Sequence, residues 1–430
     1  MQTPKLNPAI MTLRSVIFSF ALLLGGLARG QNDFQGSTHL MPFDEETINY
    51  NKAKPNDPVT QLQDAVEKGD RTLKFESEHG YLDSVLKELG IAKSSQVLVF
   101  SKTSFQRERI SPHSPRALYF NDDVYVGFIP GAPLMEFSTA EPRLGGVFYT
   151  LEQTIESKPK FARTDQCLEC HASAKSMGVP GHLLRSFKTD STGVVELDSG
   201  ISEVNHRTPI EERWGGWFVT GQHGSQVHRG NLFGKTAFAK QEKSPNYLGN
   251  LSDLSRFFDV KRYPENSSDI VALMVLEHQI HMHNFITRLN YESVVQLSRY
   301  GHINYVTNIA NSFLKYLLFT EEAPIKSDIT GGAFSKDFES RGPRDSKGRS
   351  LRDLDLQTRL FKYPCSYLIY SKSFEALPDK IQEHIYKRLW DILTGKDELP
   401  EFSRISAKSR RAILEILAET KQGLPAYWKR

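Results

Sequence analysis

Cysteine is scarce in this chain, with three in 430 residues, alongside seven methionines and four tryptophans. Three thiols cannot build a disulfide framework. A chain this long, 39% apolar and 11% aromatic, can bury a sizeable core without one. An excess of one charge is also lacking: 54 Lys and Arg stand against 51 Asp and Glu, mostly interleaved, for a net charge of +3. That balance, without a basic run, argues against a nucleic-acid surface and reads as a solvated exterior. No P-loop, dinucleotide fingerprint or Ser-His-Asp pattern stands out, and "GVPG" at 178–181 is too short to cradle a phosphate. Internal repeats and low-complexity tracts are missing as well.

Long apolar runs are confined to one place. "SVIFSFALLLGGLA", 15–28, follows Lys5 and Arg14 and is followed by Ala28-Arg29-Gly30. The run falls short of the roughly 20 residues a spanning helix needs, and small residues stand where a signal peptidase reads. The pattern predicts a cleaved leader over 1–30, with a membrane anchor as the alternative; a start at Met11 would leave this reading unchanged. No cysteine follows to carry a lipid. The mature chain is expected to be periplasmic or secreted, with no integral membrane span.

Past the leader, 31–95 reads as a polar lead-in with two short helices, 59–68 and 81–89, the first opened by Asp57-Pro58. From 96 the period changes. "QVLVFSKT", "ALYFN", "VYVGFIP", "LMEFSTA" and "GGVFYTLEQ" are short, rich in β-branched and aromatic residues, and punctuated by Pro, Gly, Asn and Asp. They predict an antiparallel meander, and "LLRSFKTD" and "WGGWFVTG" extend strand character through 96–232. From Ser267 the chain turns helical over 267–430, beginning with a stretch that meets no Gly or Pro until Gly301. A second helix is expected in 303–322, a loop over 325–350, and further helices at 379–393 and 406–422. The fold class expected is α+β: an antiparallel β-rich N-terminal half, then a mostly helical C-terminal half.

Two of the three cysteines lie in "TDQCLECHAS" at 164–173, which sets Cys167, Cys170 and His171 as Cys-x-x-Cys-His. At this composition the pattern arises by chance on the order of once in a thousand such chains. Covalent haem attachment requires this order: two thiols add across the two vinyl groups, and the next residue reaches the iron. A structural zinc site needs four ligands, and only Cys365 remains to supply another thiol. A thioredoxin-like redox pair would want a strand-to-helix βαβ setting that the sequence lacks. Haem is therefore the leading reading, with zinc and a redox pair as alternatives.

"CLECH" resembles the attachment motif of the c-type cytochromes. That resemblance implies one covalent haem c, thioether bonds at Cys167 and Cys170, and His171 as proximal iron ligand. It implies a redox partner protein or a small ligand as partner. The blocks "RWGGWFVTG", "LEHQIHMHN" and "YPCSYLIYS" are similar to those of large exported proteins with a single Cys-x-x-Cys-His and no assigned activity.

The open question is what stands opposite His171 on the iron. A Met or His there favours electron transfer, whereas an open position favours ligand binding, sensing or peroxide chemistry. Met177 is too near His171 in sequence to cross the haem plane. Candidates are His223 and His228 in "GQHGSQVHRGN", and His278 and Met282, which share a stripe with Met274 on the long helix. Such a stripe also reads as core edge, and His278 with His281 as a non-haem metal pair. Trp214 and Trp217 flank two glycines, which permit close approach by a ligand or by another backbone. Arg163, Arg185, Arg207 and Arg213 are candidates for haem propionate pairing. Cys365, in aromatic surroundings, reads as an inert buried thiol.

Overall fold

The computed structural model describes residues 40–201, 203–397 and 399–429; the leader expected over 1–30 lies outside the described residues. The lead-in opens with α1 (Pro58–Lys68) and α2 (Leu82–Glu88). α1 begins where the Asp57 carboxylate accepts from the amides of Val59 and Thr60, both at 2.9 Å, with Pro58 in the first turn. It ends on Gly69, whose φ of +83° suits glycine.

Six strands follow: β1 (Val97–Val99), β2 (Arg116–Phe120), β3 (Val124–Phe128), β4 (Leu134–Glu141), β5 (Gly145–Glu152) and β6 (Phe161–Arg163). They pair antiparallel in chain order, a plain meander. Alternation gives the sheet two faces. Ala117, Tyr119, Met135, Phe137, Val147 and Tyr149 pack with Val59, Leu62, Leu82 and Val85 of the lead-in helices. On the other face Phe120 and Tyr125 join the core of the helical half.

Beyond β6 come α3 (Leu168–His171), α4 (Lys235–Lys243), α5 (Ile270–Tyr300), α6 (Thr307–Leu317), α7 (Phe334–Ser340), α8 (Lys372–Glu375), α9 (Asp379–Thr394) and α10 (Ala407–Thr420). The chain is thus α+β, with the sheet in its N-terminal half and most of the helix in its C-terminal half. Among the described residues, no helix is long and apolar enough to cross a membrane.

α5 organises the molecule. Asp269 caps it through the amides of Val271 and Ala272, and Gly301 ends it at φ +71°. Every residue from Ile270 to Tyr291 is buried, so the helix has no solvent face over six turns. Its polar residues are used as cross-links to the elements around it. Glu277 pairs with Arg213, Gln279 donates to the Asn121 carbonyl and the Tyr125 hydroxyl, and Asn290 donates to the Arg143 carbonyl.

Three departures from the sequence reading have physical causes. The segments 183–190 and 214–221 make isolated bridges such as Ser186–Ile201 and Val99–Trp217 instead of strands. Trp214 and Gly216 sit at φ +66° and +86°, outside the extended region, so the second segment turns where it was expected to run straight. β6, three residues long, was too short to register as a run. α7 forms inside the expected loop because Phe334 and Phe338, one turn apart, bury together on the core.

Candidate functional site

The sheet delivers the chain to the Cys-x-x-Cys-His segment: β6 ends at Arg163, and five residues later α3 begins a single helical turn. A turn of helix places residues i, i+3 and i+4 on one side, so Cys167, Cys170 and His171 project together. Cys170 is exposed, Cys167 is partly so, and both are free thiols.

His171 is held from behind. Its Nδ1 lies 2.9 Å from the Gly181 carbonyl, and since a carbonyl only accepts, the ring proton sits on Nδ1. Nε2 then carries the free lone pair and has no hydrogen-bond partner among the described residues. Burial pushes the imidazole down to about 4, opposed by the Gly181 bond and reinforced by the guanidinium groups of Arg116 and Arg185. A neutral imidazole with Nδ1–H tied to a carbonyl and Nε2 open is the form that ligates a metal. The Phe148 ring of β5 packs 4.9 Å from the imidazole.

Cys167 behaves differently from a redox thiol. Burial pushes it up to about 11, with the Glu136 carboxylate adding to the effect and Arg116 opposing it. Catalytic and exchange-active thiols are tuned in the opposite direction, which weighs against the thioredoxin-like reading. A tethered haem needs two thiols on one helical turn and an open proximal nitrogen beside them, and the donor set fits it.

The side of the sheet beside this turn carries an ion pair, Arg116 on β2 to Glu136 on β4 at 2.5 Å. Gly127 on β3 stands opposite Leu118 of β2 and Glu136 of β4, and a Cβ there would stand 2.3 Å from the Arg116 guanidinium, so glycine makes room for that side chain to cross.

Among the described residues no hydrogen bond or ring contact joins any of the four candidates for the opposite iron position to His171. His278 is engaged at both nitrogens, Nδ1 with His206 Nδ1 at 3.0 Å and Nε2 with Ser366 Oγ at 2.7 Å. His228 accepts the Gly230 amide at Nδ1, which places its proton on Nε2 and removes that lone pair from ligation. His223 donates from Nδ1 to the Gln226 carbonyl, and its Nε2 faces the Gly249 carbonyl at 3.3 Å. These two rings line a small cavity with Tyr247 and Gly249. Met282 is fully buried in the main core. Among the described residues no three His, Cys, Asp or Glu side chains converge as a metal would require.

The other singled-out residues also find places. Gly215 and Gly216 admit backbone: their carbonyls accept from Phe187 and Phe100, and a Cβ at Gly215 would meet the Phe187 carbonyl at 2.6 Å. Arg163 is bound to the carbonyls of Tyr50 and Ala53, Arg207 pairs with Glu321, and Arg213 lies buried against Glu277. Arg185 alone of the four is half-buried with no ion pair among the described residues. Cys365 is fully buried in the main core, where burial pushes its thiol up.

Three contributors were not visible in the sequence reading. Gly181 supplies the carbonyl behind His171. His182, buried against Tyr125, has no hydrogen-bond partner at either ring nitrogen among the described residues. Asn284 grips the His182 peptide from α5. The only sequence signal for them was "GVPG" directly before His182, which marks a tight turn without saying what it holds. Comparison with protein-family models, curated proteins and solved structures finds no match to this chain.

Proposed function

We propose that this is an exported c-type haem protein, carrying one haem covalently through Cys167 and Cys170 with His171 as proximal iron ligand, and that its task is redox. The observation that carries the reading is the state of His171: a neutral imidazole, its Nδ1 proton committed to the Gly181 carbonyl, its Nε2 open beside two free thiols. A haem held there supplies one-electron chemistry at iron and a place for small ligands. The protein's part is to fix the imidazole, to pack Phe148 against it and to set the Arg116–Glu136 and Arg185 charges nearby. The expected location is periplasmic or secreted, and the expected partner is a redox protein or a small ligand.

A second reading, a haem enzyme or sensor with an open sixth position, is favoured by one observation. Both nitrogens of His278 are engaged, His228 accepts the Gly230 amide at Nδ1, both nitrogens of His223 face backbone carbonyls, and Met282 is packed in the core. On this basis the dithionite-reduced protein is expected to bind carbon monoxide readily, with a shifted Soret band. A six-coordinate ferrous spectrum unmoved by carbon monoxide would overturn the open position and leave a plain electron carrier.

A further inference from the structure

The loop closing behind His171 is gripped from α5 at both ends. Arg288 donates from Nη1 to the Met177 carbonyl at 2.9 Å, and Asn284, one turn earlier, holds the His182 peptide on both sides. The His182 amide donates to Asn284 Oδ1 at 2.8 Å, and Asn284 Nδ2 donates to the His182 carbonyl at 2.7 Å. The peptide unit that joins Gly181 to His182 is the one that matters to His171: its amide is held by Asn284 while its Gly181 carbonyl takes the Nδ1 proton, and one unit back the Gly181 amide donates to the His171 carbonyl at 2.8 Å. Gly181 is pressed so close to the clamp that a Cβ would stand 2.3 Å from Asn284 Oδ1. From the other side the Gly146 amide donates to the Pro180 carbonyl at 2.8 Å, so the loop is fixed between β5 and α5.

We propose that Asn284 is the positioning residue of the proximal imidazole: by fixing the 181–182 peptides it fixes the carbonyl to which His171 Nδ1 donates, and so sets the strength of His171 as a ligand. This rests on the haem reading above, with the sixth position open. A hydrogen bond at Nδ1 raises the donor power of Nε2, and such outer partners tune a metal nearly as much as the ligand itself. Among the described residues no hydrogen bond joins the Asn284 side chain to His171, so it acts through the loop. The "HMHN" block of α5 thereby has a role that requires no ligation by its own histidines.

The test is resonance Raman spectroscopy of the five-coordinate ferrous protein, with covalent haem content measured in parallel. Asn284→Leu should keep its full complement of thioether-bound haem while the iron–histidine stretching band moves to lower wavenumber and broadens. Asn284→Gln, which keeps the amide, should fall between it and the wild type. Asn290→Ala removes another α5 hydrogen bond, to the Arg143 carbonyl at 3.2 Å, and should leave the band where it is. Should Asn284→Leu fail to accumulate, Asn284→Ala carries the same comparison. An unmoved band in an Asn284 variant that holds its haem overturns the positioning role and leaves the haem reading standing. Absence of covalent haem from the wild type overturns the reading on which it rests.

Discussion

Acidification from pH 7 to pH 5 is expected to cost this protein about 4 kcal/mol of folding stability. The cause is a set of imidazoles buried in neutral form. Burial pushes His228 and His278 down to about 3 and His283 to about 4, and holds His182, His206 and His281 well below the ordinary value. Each is neutral in the folded chain and protonates near 6.5 in the unfolded one. Below pH 6.5 the unfolded state therefore binds more protons, and stability is lost as pH falls. Five acids act in the opposite sense: burial raises Glu203, Glu277 and Glu322 to about 7 and Asp123 to about 6, and lifts Asp269 as well, so they favour the folded state on acidification. With His171, also pushed down to about 4, seven histidines outweigh five acids, and the net slope near pH 5 is roughly 3–4 kcal/mol per pH unit. Urea unfolding at pH 7, 6 and 5 checks this. A midpoint that holds steady or rises toward pH 5 would show that these rings are not neutral in the folded state.

Replacing Arg213 with methionine is expected to be among the most damaging single changes in the helical core, at about 3–5 kcal/mol. Arg213 donates to Glu277 Oε2 at 3.0 Å, to the Thr208 carbonyl at 2.6 Å and to the His206 carbonyl at 3.0 Å, and neither side chain of the pair reaches solvent. Its removal strands a carboxylate in the core, a position from which Glu277 can escape only by holding a proton. Burial already lifts Glu277 to about 7 with the guanidinium present, and that pKa should rise further without it. A carboxyl whose folded pKa lies above its unfolded one contributes stability at low pH and loses it as pH rises through the folded value. The variant should therefore be more destabilised relative to wild type at pH 8 than at pH 5. Arg213→Met combined with Glu277→Met should recover most of the loss, because the expense lies in the stranded charge. Thermal melts of the single and double variants at both pH values decide it; a double variant no better than the single would place the cost in packing.

The Cys-x-x-Cys-His motif stood out because covalent haem attachment would constrain the spacing: two thiols and an imidazole would have to share one helical turn, and α3 is such a turn. The meander was legible from period and punctuation, and α5 from its Asp269 cap and Gly301 stop. The histidines of α5 left two readings open for a definable reason. A Met and His stripe suits a cofactor pocket and a buried helix alike, and what separates them is the partner of each nitrogen. His278 finds His206 and Ser366, and His283 finds the Asp122 carbonyl, partners 72, 88 and 161 residues away in the chain. Gly181 and Asn284 were illegible for the same reason: a backbone carbonyl and an amide acquire meaning only from the residues the fold sets against them.

The account rests on a haem bound through Cys167 and Cys170, and the most direct measurement is the intact mass of the denatured protein. It should be matured in a host with haem-attachment machinery, and its pyridine haemochrome spectrum read alongside. The predicted result is a polypeptide carrying one haem that survives denaturation and acid-acetone extraction. The α-band should be that of a haem with both vinyl groups saturated, and the haem should be lost when Cys167 and Cys170 are both replaced by alanine. A polypeptide of unmodified mass with both thiols free would contradict it.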